Sequence, residues 1–232
     1  MPFKLISIVL PVHNQADHVE ELVLEYDKAL SRIPCSYEFI LVVNNSRDRS
    51  FEICQSLSQR FPHIKAINSE KGGWGWAVKL GLREAHGDVL CYTNSARTKP
   101  QELQLFLLYA IANPSNVIKA NRKFRDNFLR RLGSLIYNLE VRMFFNLAYW
   151  DINGTPKVFP KAFTGLMDLT EDGDMIDAEF NVICHRMGYP VLEVPVVSIA
   201  RRGGKSTTGY YSALKMYWGA YKLWRRMSGE TK

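Results

Sequence analysis

The chain has 232 residues, 47% hydrophobic and 23% charged, which suits one α/β domain with a full core and excludes a disordered chain. Its net charge of +7 points to an anionic partner, whether nucleotide diphosphate, anionic lipid or nucleic acid, and does not choose among them. The longest apolar stretches, such as Leu105 to Ala112, fall far short of the ~20 residues a membrane helix needs.

Lys4 followed by Leu5 to Val12 has the outline of a leader, but Pro11, His13 and Asn14 follow instead of a small-residue cleavage site, so a first strand is expected. Leu5 to Leu10 is that strand, ended by Pro11 and Asn14. Asp17 to Leu30 has helical spacing, with Val19, Leu22, Leu24, Tyr26 and Leu30 as its apolar stripe. Phe39 to Val43 is the second strand and Phe51 to Phe61 the second helix. Ile64 to Asn68 is the third strand. Gly75 to Ala85 is a helix stopped at Gly87, and Val89 to Thr93 is the fourth strand. Pro100 opens a helix to about Ala112. Arg122 to Arg131 is basic, and Leu132 to Trp150 reads as an aromatic-rich helix. A strand at Thr155 to Phe159, a helix at Asp177 to Met187 and a strand at Val191 to Ile199 follow, then a last helix from Gly209 to Met227.

Apolar strands alternating with amphipathic helices imply a mostly parallel sheet covered on both faces. The expected organisation is one continuous α/β domain over residues 1–207 and an amphipathic helix over 208–232. Ligands of such sheets bind beyond the carboxyl ends of the strands. Those ends are His13-Asn14, Asn44-Asn45-Ser46, Ser69 to Gly75, and Asn94 to Thr98. Cys35, Cys54, Cys91 and Cys184 are scattered without a C-x-x-C pair, so free thiols of a reducing compartment are expected and a zinc or redox motif is not.

The strand ends carry a resemblance. Ser7 to Gln15, with Pro11, His13, Asn14 and Gln15 at its end, resembles the opening strand of family-2 glycosyltransferases, where an apolar run leads into Pro-x-Tyr-Asn-Glu. Tyr37 to Ser50 is similar to the family's second strand and its Asp-Asp-Gly-Ser-x-Asp-Gly-Thr turn, and Gly73 to Ala77 to its Gly-Lys-Gly-x-Ala turn. Asn94-Ser95-Ala96 stands where the family has Asp-x-Asp. Asp151 to Phe159, Asp177-Ala178-Glu179 and Arg201 to Ser206 resemble three later family segments. The resemblance runs from Ser7 to Ser206 and is closest to the dolichol-phosphate mannose synthase branch. It implies the GT-A fold. It also implies inverting transfer of a sugar from a nucleotide-sugar to a lipid-linked acceptor, a polyprenyl phosphate, in cell-surface glycan synthesis at the cytoplasmic membrane face. Pro11, His13, Asn14, Gln15, Asn44, Asp48, Gly73, Asn94, Ser95 and Ala96 would form the nucleotide side.

Two motifs depart from the family. Val43-Asn44 replaces an acidic pair, and Asn44 keeps only a neutral amide for the base. Asn94 and Ala96 replace the acids that hold Mg²⁺ or Mn²⁺, and hard cations want anionic oxygens, so a tight metal site is not expected. Arg97 and Lys99 flank the vacancy. Arg97 is a candidate electrostatic substitute for the metal as the leaving group gains charge, and the pair equally reads as a solvated loop end.

Asp177 and Glu179, two apart on a helix, face different ways and cannot share one role. They read as catalytic or sugar-orienting acids, or as acids facing the helix dipole. A hydroxyl acceptor needs a general base, whereas a phosphate with a second pKa of roughly 6 does not. Arg131, Arg202 and Lys205 are candidates for an acceptor phosphate, because the guanidinium fork suits two phosphate oxygens. Gly72-Gly73-Trp74-Gly75 lacks the phosphate-loop ending, and tight-turn geometry explains its glycines better. In the last helix, Tyr210, Leu214, Tyr217, Tyr221 and Trp224 share a face beside Lys215, Lys222 and Arg226. That pattern fits peripheral contact with an anionic membrane, or docking on the parent domain or on another subunit. The alternative function is an inactive GT-A scaffold. A nucleic-acid binder ranks last, because no nucleic-acid module is present. The oligomeric state is not legible.

Overall fold

The computed structural model describes residues 3–124, 128–197 and 210–229, with side chains at 123–124, 128–131 and 210–214 outside that description. Leu5–Val12 forms β1, and every residue after Leu5 is buried, because helices cover both faces of the strand. Ile6, Ile8, Leu10 and Val12 enter one core layer while Val9 enters the opposite one, as a two-residue repeat requires. α1 (Val19–Leu30), β2 (Ser36–Asn44), α2 (Ser50–Arg60), β3 (Ile64–Ser69), α3 (Trp74–Arg83), β4 (Val89–Tyr92) and α4 (Pro100–Ala112) follow in the expected alternation. α1 starts two residues later than its apolar pattern suggests, since the amide of Ala16 is held by Asp48 Oδ2 at 2.9 Å in the preceding turn.

The second half contributes β5 (Val117–Phe124), α5 (Phe128–Phe145), β6 (Lys157–Pro160), a short 3-10 turn at Thr164–Leu166, α6 (Ile176–Arg186), β7 (Val191–Val197) and α7 (Tyr210–Gly229). The strand order is β3-β2-β1-β4-β6-β5-β7. β6 alone runs antiparallel, and it sits between β4 and β5. The result is the mostly parallel, helix-flanked sheet that the alternation implied.

β5 is an addition to the sequence reading. Lys119 interrupts its apolar run, yet Lys119 has no exposed surface and pairs with Glu193 of β7 at 2.9 Å. α5 begins at 128 and ends at 145, because Asn146 turns the chain with φ 52° and Trp150's amide is held by Glu193. Residues 198–199 of the expected last strand lie outside the described residues.

Within the described residues, part of the apolar face of α7 packs on the body. Ala220, Leu223 and Met227 are buried with Tyr137 and Val141 of α5 and Val182 of α6. Trp224 stacks on Phe144 at 5.5 Å, and Tyr217 donates to Gly133 O at 3.0 Å. The face holding Tyr217, Tyr221 and Trp224 therefore docks on the body. Tyr210 and Leu214 have side chains outside the described residues. Among the described residues, no helix is long and apolar enough to cross a membrane.

Candidate active site

The ends of β1, β2 and β4 open on a cleft of about 540 Å³. Pro11, His13 and Gln15 line it from β1, and Asn44 and Asn45 from β2. Gly72, Gly73 and Trp74 form one wall, with Asn94 and Asp174 completing it. Six of the ten expected nucleotide residues thus share one surface: Pro11, His13, Gln15, Asn44, Gly73 and Asn94.

Asn44 is a bracket. Its Nδ2 donates to Val12 O at 3.0 Å, and its Oδ1 accepts from the Gly73 amide at 3.3 Å. One side chain thereby ties β1, β2 and the glycine turn. His13 Nδ1 donates to Asn44 O at 2.8 Å, which leaves Nε2 to accept from Asn14 Nδ2 at 3.2 Å. Asn14 sits at φ 49°, a region Asn tolerates, and its Oδ1 accepts from the Arg47 amide at 2.8 Å. When the ring is neutral, these bonds favour the tautomer with the proton on Nδ1.

The other four expected nucleotide residues support the rim from behind. Asn14 joins the β1 and β2 ends, as above. Asp48 is exposed and accepts from the amides of Ala16 and Ser50 and from Ser50 Oγ. Burial acts to raise its pKa, and those hydrogen bonds outweigh burial and hold it below the usual carboxylate range. Ser95 donates to Gln15 Oε1 at 2.9 Å, and Ala96 donates its amide to Asn94 Oδ1 at 3.1 Å. Ser95 and Ala96 are each 1% exposed, so neither faces the cleft.

The loop after β4 does not fit the divalent ion that the Asp-x-Asp pattern holds. Asn94 offers one neutral oxygen, already accepting from Ala96, and Ala96 offers none. Among the described residues, no cluster of three or more His, Cys, Asp or Glu is arranged for a metal. Arg97 is half-buried, contributes no surface to the cleft and is engaged by an interaction of its own.

Asp174 was missed by sequence reasoning, which fixed on the acids of α6. Among the described residues it is the one carboxylate in the lining, and no described lysine or arginine lines the cleft with it. Its surface is exposed, yet nearby protein raises its pKa by partial desolvation, and Asp177's charge adds to that. The acidic run Glu171-Asp172-Gly173-Asp174 just ahead of the helix start was the available signal.

Asp177 is 5% exposed. Its carboxylate accepts from Tyr92 Oη at 3.0 Å, from Trp74 Nε1 at 3.2 Å and from Lys157 Nζ. Lys157 has no exposed surface, and burial pulls its pKa below the usual lysine range against the attraction of Asp177. Glu179 points elsewhere, as its spacing required. It accepts from the amides of Thr170 and Glu171 and from Thr170 Oγ1. The geometry thus gives both acids binding partners within the fold. Asp151 is likewise taken, by a bidentate pair with Arg122 at 2.6 and 2.7 Å. The side chain of Arg131, and Arg202 and Lys205 entirely, lie outside the described residues.

Comparison with known proteins agrees with this architecture. The model of glycosyl transferase family 2 matches residues 7–169. A dolichol-phosphate mannosyltransferase of Pyrococcus furiosus is 34% identical over 118 residues, covering 50% of this chain and 33% of that protein. An undecaprenyl-phosphate 4-deoxy-4-formamido-L-arabinose transferase of Pseudomonas fluorescens is 24% identical over 221 residues, covering 93% of this chain and 62% of that protein. The chain therefore spans less than two thirds of these relatives' length. In fold it is similar to glucosyl-3-phosphoglycerate synthase of Mycobacterium tuberculosis, solved in complex with uridine-diphosphate. The TM-score is 0.70 at 15% identity, over 97% of this chain and 80% of that one. With a family model matched over most of its length and a GT-A sheet beneath it, the chain belongs to glycosyl transferase family 2.

Proposed function

We propose that the chain is an inverting glycosyltransferase that moves a sugar from a nucleotide-sugar to a membrane-associated acceptor, a polyprenyl phosphate. The observation that carries this reading is the cleft at the ends of β1, β2 and β4, lined by amides and a glycine turn. The names of the relatives point to the same class of acceptor. Asp177 and Glu179, 5% and 3% exposed, each accept three or more hydrogen bonds from the fold, so a hydroxyl acceptor, which needs a base, would have to use Asp174 of the cleft. A phosphate acceptor is ionised at neutral pH and attacks without one. Nucleotide binding in this reading needs no divalent ion.

A membrane-facing surface is supported by α5. Leu132, Leu135, Ile136, Leu139 and Met143 fall on one helical face, from 46% exposed at Leu132 to 74% at Met143. Trp218 of α7 is 59% exposed with Lys222 Nζ 5.7 Å from its ring. An apolar stripe beside basic residues suits peripheral binding to anionic lipid at the cytoplasmic membrane face.

The test is transfer from UDP- and GDP-sugars to a short polyprenyl phosphate in vesicles, with Mn²⁺ or with EDTA. Product formation in EDTA is expected, and turnover that requires Mn²⁺ refutes the metal-free reading. The self-satisfied Asn94 to Thr98 turn also favours a second reading, an inactive GT-A scaffold. Thermal shift separates the two: stabilisation by no nucleotide favours the scaffold.

A further inference from the structure

The cleft wall that carries Asp174 is held from outside the cleft, and one of its supports comes from the far end of the chain. The loop from Thr170 to Asp174 lies against the glycine turn so closely that a Cβ on Gly73 would meet Asp172 O at 2.5 Å. The amide of Trp76 donates to the same oxygen at 2.9 Å. Lys79 Nζ donates to Thr170 O at 2.6 Å and pairs with Asp172, as Lys71 does. Behind the loop stand two like charges, Glu171 and Glu179. Arg226 of α7 spans them, with Nη1 at 2.9 Å from Glu171 and Nη2 at 3.4 Å from Glu179. α7 touches the loop's end a second time. A Cβ on Gly219 would lie 3.0 Å from Met175, the residue after Asp174.

We propose that α7 is a strut for the cleft, in which Arg226 is a positioning residue that holds the loop at 170–174, and so Asp174, against the glycine turn. This rests on the reading of the cleft as a nucleotide-sugar site. The physical basis is that Glu179 already anchors the loop through the Thr170 and Glu171 amides. Arg226 neutralises the repulsion between Glu179 and Glu171 that this arrangement creates. A guanidinium fork offers a separate Nη to each carboxylate, whereas a lysine would have to draw both onto a single ammonium.

The experiment compares wild type with Arg226→Gln and Arg226→Lys. Amide hydrogen exchange is followed in peptides covering 168–176 and in β1, and affinities are measured for UDP, GDP, UDP-glucose and GDP-mannose. For Arg226→Gln, exchange in the loop should quicken about fivefold or more, the cost of losing roughly 1 kcal/mol of local closure, with β1 unchanged. The affinity for whichever sugar nucleotide the wild type binds should fall about as much, with Arg226→Lys in between. Unchanged affinity, with or without faster exchange, overturns the proposal. Failure of the wild type to bind any of the four nucleotides brings down the reading of the cleft instead. Exchange then still decides whether α7 holds the loop.

Discussion

Replacing Asp177 by Asn removes the counter-charge of a lysine that has no exposed surface. Lys157 Nζ has two acceptors, Asp177 and Ile152 O at 3.2 Å, and only the first is charged. Stranding a buried ion by deleting its partner costs about 3–5 kcal/mol. Deprotonation sets a ceiling on that cost. From an unfolded-state pKa of about 10.4, making the amine neutral at pH 7 costs about 4.6 kcal/mol. If the folded variant takes that route, its native state holds one proton fewer than its unfolded state. Stability then rises with pH, so the penalty should shrink by about 1.4 kcal/mol for each unit between pH 7 and pH 9. Urea denaturation of wild type and Asp177→Asn at the two pH values measures both quantities. Asp177→Leu combined with Lys157→Met should recover most of the loss, because a packed apolar pair does without the desolvation. A cost under about 1 kcal/mol at pH 7 refutes the buried charged pair, and one that does not shrink at pH 9 shows that the stranded amine stays protonated. The outcome also bears on catalysis: lost turnover in Asp177→Asn reports on this pair before it reports on a base.

Gly73→Ala places a Cβ at φ 135° and 2.5 Å from Asp172 O, a strain of about 1–3 kcal/mol that should lower Tm by roughly 2–4 °C per kcal/mol. An unchanged melting curve would show that the turn relaxes freely. Asp174→Asn should stabilise the protein slightly at pH 7, the effect being small because the residue is exposed and screened by solvent. Its raised pKa means the ionised native form carries a penalty that is absent below the unfolded pKa of about 3.9 and complete above the folded one. The gain should vanish as pH falls toward 4, and a variant less stable than wild type at pH 7 would refute this. Leu139→Glu, on the exposed face of α5, should cut co-sedimentation with phosphatidylserine vesicles by about threefold or more and leave Tm within a degree or so. Undiminished vesicle binding would move the membrane surface elsewhere.

The first half was legible because its strands are buried on both faces and read as unbroken apolar runs. Leu5 to Leu10 and Phe39 to Val43 need no tertiary knowledge to be seen. β5 was not legible, since Lys119 and Arg122 mark a surface segment until Glu193 and Asp151 are known to meet them. Those partners lie 74 and 29 residues away, and no local pattern encodes such pairings. Pro11 and Gln15 of the cleft came with the family resemblance, whereas its strand-end residues His13, Asn44 and Asn94 could be read from topology alone. Asp174 could not, because its place depends on Gly73 and Gly75 letting a distant loop pack against them. The apolar stripe of the last helix was legible as a stripe. That it faces α5, and that α5 turns its own stripe outward, depended on which helix the body buries.

The reversed strand β6 has a consequence for how the chain can vary in length. Because β6 runs against β4, Lys157 at its start lands beside Tyr92 at the end of β4. The turn of residues 151–156 delivers it there, with Gly154 so close to β5 that a Cβ would lie 1.9 Å from Ala120 O. Successive strand residues point to opposite faces, so one residue gained or lost in that turn would swing Lys157 to the wrong side of the sheet. Asp177 and Lys157 would then both be buried without a counter-ion. Insertions and deletions should therefore be absent from this turn in functional variants, while the exposed loop around Gly188 can absorb them. The count of residues between Asp151 and Lys157, together with the glycine at 154, is what the reversed strand holds fixed.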